Sequence, residues 1–581
     1  MVPNEKQEND IEQDKKKVDD EEAQDARGHW DKKIEFLLSC IGYAVGLGNL
    51  WRFPYLCYDN GGGAFLIPYT LFLFVCGIPL MALELGIGQY FRQGPTKAFN
   101  NIYPLLTGIG VSMIMQMLLF GIYYVVLFSW VFYFLIASFI DPLPWTTCDN
   151  AWNTENCLTG NESMPNVSGT SPSEEFFFHG LLEISNHPSN LGPIKWELAL
   201  LLLISWIVVY FSIFKGIKWS GKVVYFTVTF PYLVLIVLFF RGITLKGTGL
   251  GIDFYLRVDL DKLKQSRTWR NAATQIFYSL GTGIGPTITL ASYNKRNNNI
   301  LRDAIIISLT NYATSFFCGF VVFSILGYLS DQGGVPIAQV VTQAGLATLP
   351  GANVWSVLFF AMLITLGIDT LMGALETITT GFSDLWPKLL PYRPCTTLGV
   401  YIFMFLPGLI CVTRGGFYII TLLSWYTADF TAFITAIIEL VAVSYCYGGN
   451  RFANNISRII NKPVWIPWRI SWYIMTPAMI MMIFIFSCID YKPVTFGYGN
   501  LYPWWGEFAG WTMIAICLSG IVIGAIYKIF TTQGTVIERF VKLLFVPKTQ
   551  EEMESYDLSC DKEIENEEYS LTAQGTYQTA V

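Results

Sequence analysis

An all-α membrane fold of twelve transmembrane helices is what this sequence predicts, and three observations carry the expectation. Of 581 residues, 53% are apolar and only 14% are charged, against about a quarter charged in soluble domains. The apolar residues gather in runs of about 20 or more, long enough to cross a hydrocarbon core of ~30 Å. Two of those runs, the first and the sixth, are interrupted near their centres by clustered glycines. The net charge of −7 comes mostly from acidic ends such as Asp19-Asp20-Glu21-Glu22. Neither a soluble enzyme nor a nucleic-acid partner fits this balance.

Residues 1–33 are charged and poor in apolar residues, so they read as a disordered cytosolic tail and not as a signal peptide. The runs that follow predict spans at roughly 36–58, 64–91, 106–139, 194–213, 222–241, 271–292, 300–329, 352–384, 396–412, 416–446, 470–489 and 508–529. Three of them (106–139, 300–329 and 352–384) exceed a perpendicular crossing and imply tilt or extension beyond the bilayer. The transporter-like domain is bounded at 34–530, and 531–581 reads as a cytosolic tail.

Most of the twelve cysteines sit singly in apolar segments, where they read as small packing residues. Cys148 and Cys157 are different, because they lie in a polar stretch with two glycosylation patterns, Asn161-Glu162-Ser163 and Asn166-Val167-Ser168. A disulfide and two sequons place the loop 140–193 in an oxidising, extracellular space. An even number of spans then puts both termini in the cytosol. Lys215, Lys218, Lys222, Lys295, Arg296, Arg302, Arg451, Arg458 and Lys462 agree, all falling in loops assigned inside. The segment 241–270 runs the other way, with Arg257, Lys262, Lys264, Arg267 and Arg270 assigned outside, so the sequons carry the orientation.

The first span is broken by Gly46-Leu47-Gly48-Asn49 and the sixth by Gly281-Thr282-Gly283-Ile284-Gly285-Pro286. Each glycine weakens a helix by roughly 1 kcal/mol and an interior proline by about 3. Freed backbone is tolerated at membrane depth only where it lines a polar cavity. The breaks occupy corresponding positions of spans 1–5 and 6–10, as in an inverted five-helix repeat, and point to a binding site. Asp369, beside Thr370 at the centre of the eighth span, supplies a carboxylate and neighbouring oxygens suited to a small hard cation such as sodium. Glu84, Glu376 and Glu439 are also intramembrane and read as carboxylates bracing unwound backbone. The histidines are His29, His179 and His187 alone, and no phosphate-binding loop occurs. With no catalytic constellation and no direct use of ATP, an ion-coupled carrier is expected, not an enzyme.

Longer motifs sharpen this. Tyr43-Ala44-Val45-Gly46-Leu47-Gly48-Asn49-Leu50-Trp51-Arg52-Phe53-Pro54-Tyr55 and Asn60-Gly61-Gly62-Gly63-Ala64-Phe65 resemble the first-helix signature of the sodium- and chloride-dependent neurotransmitter and amino-acid symporters. Gln275-Ile276-Phe277-Tyr278-Ser279, Ala291-Ser292-Tyr293-Asn294-Lys295 and Thr365-Leu366-Gly367-Ile368-Asp369 resemble the same family, and the Cys148–Cys157 spacing fits it. The resemblance covers roughly residues 27–545 and implies alternating access without a cofactor, with sodium and chloride co-transported. It implies one sodium position at Ala44, Asn49, Ser279 and Asn311, and a second at Gly42, Val45, Leu366, Asp369 and Thr370. The chloride position would be Tyr69, Gln275, Ser279, Asn311 and Ser315, all able to donate hydrogen bonds. The substrate pocket would be lined by Tyr43, Ala44, Gly46, Phe120, Tyr124, Tyr278, Gly281, Thr282, Ile284, Thr370 and Met372, with Tyr124 and Tyr278 as an aromatic lid. The inner gate resembles Arg27, Trp30, Tyr293 and Asp384, with Arg27 and Asp384 as an ion pair.

Monoamine carriers of this family have an aspartate where this chain has Gly46. Glycine lets the substrate bring its own carboxylate to the first sodium and to the broken-helix N-terminus. That implies a small zwitterion, glycine or another neutral amino acid first. The alternatives are a GABA, taurine, betaine or creatine-like substrate, or a monoamine, since Ser279–Gly285 looks closer to monoamine members. Ile284 departs from the aromatic ring usual in those carriers. At the outer gate, the acidic partner expected for Arg52 is replaced by Ser424, with Asp429 five residues on. That change also leaves open a non-transporting or channel-like member. Thr579-Ala580-Val581 resembles a C-terminal ligand for PDZ domains. The expected partners are thus the zwitterion, membrane lipid and a PDZ-domain protein, with the oligomeric state left open, in the plasma membrane.

Overall fold

The computed structural model describes residues 28–158, 169–295, 297–334, 337, 351–428, 430–489, 491–497 and 499–544. Arg27, Asn161, Asn166, Asp429 and Thr579-Ala580-Val581 lie outside the described residues. The chain is an all-α membrane protein. Among the described residues the strands are two short pieces, Thr495–Phe496 and Asn500–Leu501.

Ten helices are long and apolar enough to cross a membrane: Gly63–Phe91, Pro104–Ala137, Trp196–Ile213, Ile217–Ile243, Ile300–Gly333, Ala352–Leu385, Pro387–Cys411, Gly416–Ile460, Ile466–Ile489 and Trp504–Thr531. The first span makes eleven as a bent pair, Lys33–Ala44 and Gly48–Asp59, with 50° between its halves. The twelfth is the sixth span, Ser266–Leu280 followed by Pro286–Ala291. Neither half of the sixth is long enough alone. Every residue of Pro286–Ala291 is buried, so protein and not lipid surrounds the interrupted backbone, as the bilayer requires.

The spans predicted to be overlong are so: Pro104–Ala137, Ile300–Gly333 and Ala352–Leu385 each run 34 residues, about 50 Å of helix against a core of ~30 Å. The tenth departs from its predicted end at 446. It continues through a widened turn, Val441–Gly448, into the helix Gly449–Ile460, so Arg451 and Arg458 stand on a helix and not in a loop. The predicted loop 241–270 also folds, with Thr248–Leu256 lying against the seventh span, where the Tyr255 hydroxyl donates to Phe316 O at 3.1 Å. Helix Val536–Leu544 follows the last span. Outward faces are apolar: Phe226, Leu233, Val237 and Phe240 of the fifth span are all exposed, the pattern of a surface that meets lipid and not water.

The loop after the third span is tied down covalently and electrostatically. Cys148 and Cys157 are bonded, with 5.8 Å between their Cα atoms. The Glu175 carboxylate accepts from Thr154 N at 3.0 Å and from the hydroxyls of Thr154 and Thr170. Glu183 meets Lys195 at 3.2 Å and Arg414 at 2.5 Å, joining the loop to the start of the fourth span and the link between the ninth and tenth. Burial pushes the Glu183 carboxyl up, but hydrogen bonds and charge from Lys195 and Arg414 outweigh it and hold the group below its ordinary value. A depressed carboxyl contributes stability above its unfolded pKa, and that contribution is lost as pH falls through the lower folded value. Wild type should therefore melt above Glu183→Gln from pH 8 to 5, and the difference should begin to shrink near about pH 4 and go on shrinking as the pH falls further. Melting curves of the two proteins across that range check this.

Candidate functional site

The two broken spans face one another at the centre of the molecule. Lys33–Ala44 ends as Val45 turns extended, at φ −94° and ψ 90°, and the chain re-enters a helix at Gly48. Asn49 stabilises this re-entry, its Oδ1 accepting from Gly46 N at 3.0 Å. In the sixth span Gly281, Gly283 and Gly285 have φ of 62°, 82° and 104°, values that a Cβ disfavours, and Pro286 then opens the next helix. The Tyr43 hydroxyl crosses between the breaks, donating to Gly281 O at 3.3 Å. Glu84 braces the sixth span from the second, accepting from Gly283 N and the Thr287 hydroxyl.

Ala44, Asn49, Ser279 and Asn311 converge. Asn311 Nδ2 donates to Ala44 O at 2.7 Å and Ser279 O at 3.0 Å, while its Oδ1 accepts from Ser279 Oγ at 2.8 Å and Asn49 Nδ2 at 3.2 Å. Asn49 Nδ2 also reaches Ser315 Oγ at 2.8 Å. Ser315 in turn accepts from the Tyr69 hydroxyl at 3.4 Å, and Gln275 Nε2 donates to Gly48 O at 3.2 Å. These are neutral oxygens and amides, able to exchange their mutual bonds for a monovalent cation and an adjacent anion. Among the described residues no three of His, Cys, Asp and Glu gather as a transition-metal site would.

The second cluster sits where Asp369 of the eighth span meets the first. A Cβ on Gly42 would lie 2.9 Å from Asp369 Oδ2, so the carboxylate rests directly on the helix carrying Gly42 and Val45. Thr370 Oγ1 turns back to Leu366 O at 3.3 Å. Asp369 Oδ1 accepts from Thr227 Oγ1 at 2.5 Å, whereas the buried Oδ2 has no partner among the described residues. An unpaired buried carboxylate is costly, and a cation at Oδ2 removes that cost. Thr227 was not among the expected residues. Its signal was a buried stripe on the fifth span at Ser220, Val224, Thr227 and Pro231.

The central cavity is walled by Tyr43, Ala44, Gly46, Phe120, Tyr124, Tyr278, Gly281, Thr282, Ile284 and Thr370, together with Asn49, Gln116, Met117, Tyr123 and Ala432, which sequence reasoning did not place there. Met372 is a correction. It lines a separate inner cavity with Trp30, Ser39 and Glu376, because two residues along a helix from Thr370 is about 200° of rotation. The Phe120 and Tyr124 rings stack at 4.8 Å. No described residue on the central wall is charged.

At the outer side, the Arg52 guanidinium lies 4.4 Å over the Tyr278 ring, a cation–π contact. Ser424 donates to Thr421 O of its own helix at 3.1 Å. At the inner side, Trp30 Nε1 donates to Leu290 O at 3.0 Å and its ring meets Tyr293 edge-on at 6.5 Å. Asp384 accepts from Gly94 N at 2.8 Å. Glu376 receives the Tyr293 hydroxyl at 2.8 Å and pairs with Arg393. Glu84 is thus satisfied at both oxygens, whereas Glu376 is satisfied at Oε1 and its buried Oε2 has no hydrogen-bond partner among the described residues. Glu439 differs, since neither of its buried oxygens has a hydrogen-bond partner among the described residues.

A profile of the sodium:neurotransmitter symporter family matches residues 27–532. The human sodium- and chloride-dependent GABA transporter 2 is 42% identical over 537 residues, covering 89% of each chain, and its mouse counterpart is 42% identical over the same length. The human sodium- and chloride-dependent neutral and basic amino acid transporter B(0+) is 41% identical over 573 residues, covering 90% of this chain and 89% of its own. A single profile spanning both broken helices, the Asp369 cluster and all twelve spans places this chain in the sodium:neurotransmitter symporter family.

Proposed function

We propose that this protein moves a small zwitterion across the plasma membrane into the cell, coupled to sodium and chloride, with both termini in the cytosol. Membership of the family makes it a transporter and not an enzyme. The observation that carries the substrate class is the uncharged cavity wall. A monoamine would find no described carboxylate there, and a simple carboxylate no described cation. A zwitterion needs neither. Its carboxylate is met by the open helix end at Gly48 and by a sodium seated among Ala44, Asn49, Ser279 and Asn311. Its ammonium is met by carbonyls of the unwound backbone.

The second sodium belongs with Gly42, Val45, Leu366, Asp369 and Thr370, and the chloride with Tyr69, Gln275, Ser279, Asn311 and Ser315. The three relatives are named for GABA and for neutral and basic amino acids, compounds with a carboxylate and an amine. An α-amino acid is the first reading, and a GABA-like ω-amino acid is the second because of the 42% identity to GABA transporter 2.

The experiment is isotope uptake and current recording in oocytes. The panel holds neutral and cationic amino acids, GABA, taurine, betaine, creatine and monoamines, with sodium and chloride withdrawn in turn. Uptake of a zwitterion that collapses without either ion is the expected result. Uptake of a monoamine alone, or a sodium leak with no flux despite surface expression, would overturn the proposal.

A further inference from the structure

Gln116 is a polar residue on the cavity wall that neither the ion clusters nor the lid uses. It is 2% exposed and lies on the third span, two helical turns before Tyr124 on the same face, with Phe120 between. Its Nε2 lies 3.4 Å from both Ser112 Oγ and Thr435 Oγ1. The Thr435 hydroxyl has one proton, directed to carbonyl oxygens, Gly283 O at 2.8 Å among them. A lone pair is therefore what Thr435 offers Gln116, which fixes the amide with its nitrogen toward Thr435 and its oxygen away from it. That oxygen, Gln116 Oε1, is buried without a hydrogen-bond partner among the described residues, as is Thr282 Oγ1 on the same wall.

The two ends of the cavity differ. Tyr124 marks one end, its hydroxyl 3.5 Å from where a Cβ on Gly46 would stand. Gln116 lines the cavity eight residues earlier, about 12 Å toward the N-terminal end of the third span. Apolar Met117, Phe120, Ile284 and Ala432 also line the cavity. A buried carbonyl oxygen is costly to leave unmet, and a ligand that reaches it with a hydrogen-bond donor satisfies it.

We infer that Gln116 is a specificity-determining residue that selects substrates bearing a hydrogen-bond donor (hydroxyl, carboxamide or ammonium) at the end remote from the carboxylate. This rests on the zwitterion reading above, with the carboxylate at the Gly46 end. The donor bonds to Gln116 Oε1, with the Thr282 hydroxyl available as a second partner. Sites built around such a bond reject isosteres that lack the donor far more strongly than apolar pockets reject a missing methylene.

The test is sodium-driven uptake, normalised to surface protein, of matched pairs: threonine and valine, glutamine and methionine, lysine and norleucine, 4-aminobutyrate and 2-aminobutyrate. In wild type the first member of at least one pair should be favoured by about tenfold or more. Gln116→Leu should erase that preference by lowering uptake of the donor-bearing member alone. Gln116→Glu should raise the lysine-to-norleucine ratio by about tenfold, which keeps the test open should Gln116→Leu fail to reach the surface. A wild type with no preference in any pair overturns the inference. So does a Gln116→Leu protein that loses both members equally, or a Gln116→Glu protein whose ratio is unmoved. Those three results leave the zwitterion reading standing, whereas absence of sodium-driven uptake for every zwitterion sinks both.

Discussion

Gly46→Asp is expected to reduce zwitterion uptake by about a hundredfold or more. A Cβ at position 46 would lie 2.6 Å from Thr370 Oγ1, well inside contact distance, so any side chain must displace the Thr370 hydroxyl where it borders the second ion cluster. Overpacking of this kind costs about 1–3 kcal/mol. The added carboxylate would then stand beside the site assigned to the substrate's own carboxylate, and burying it unpaired costs several kcal/mol more. Together these exceed the ~2.7 kcal/mol that corresponds to a hundredfold loss. Surface-normalised uptake measures it, with monoamines as an added arm. Undiminished zwitterion transport would show that the substrate carboxylate sits elsewhere.

Asp369→Asn separates an ionic role from a structural one. Asparagine keeps an oxygen for the Thr227 hydroxyl, which Asp369 Oδ1 accepts at 2.5 Å. It replaces the unpartnered Oδ2 with a donor amide that no cation tolerates. If a sodium sits there, maximal uptake should fall by about a hundredfold, or half-activation by sodium should shift upward by at least about tenfold, 1.4 kcal/mol. If the carboxylate only anchors the fifth span, the sodium activation curve should not move. Uptake measured against sodium concentration at constant ionic strength distinguishes these outcomes.

Most of the architecture was legible because a bilayer imposes so few solutions. Long apolar runs must be helices, and the glycine clusters at 46–49 and 281–286 had to be buried breaks. What could not be read came from rotation about helices and from contacts between distant ones. Met372 and Thr370 are two residues apart yet face different cavities. Gln116 and Thr227 are single polar residues in apolar helices, where the common role is a bond to the helix's own backbone. Only the neighbouring spans reveal that they face a cavity and a carboxylate. The Arg52 guanidinium lies over Tyr278, an aromatic contact with no sequence spacing to announce it. The tenth span ran past its predicted end because Gly449–Ile460 buries one face, with Phe452, Ala453 and Ile456 inside, a pattern that a run of hydropathy does not mark.

The 3.3 Å hydrogen bond from Tyr43, in the last turn before the first break, to Gly281, where the second begins, links the edges of two stretches whose backbone leaves its helical ladder. Two such stretches moving independently would each add slack, and the cavity between them would have no defined width. Joined, they share a single compliance. A load placed on either is felt by both, so the dimensions of the cavity and the relative tilt of the two helices become one mechanical variable.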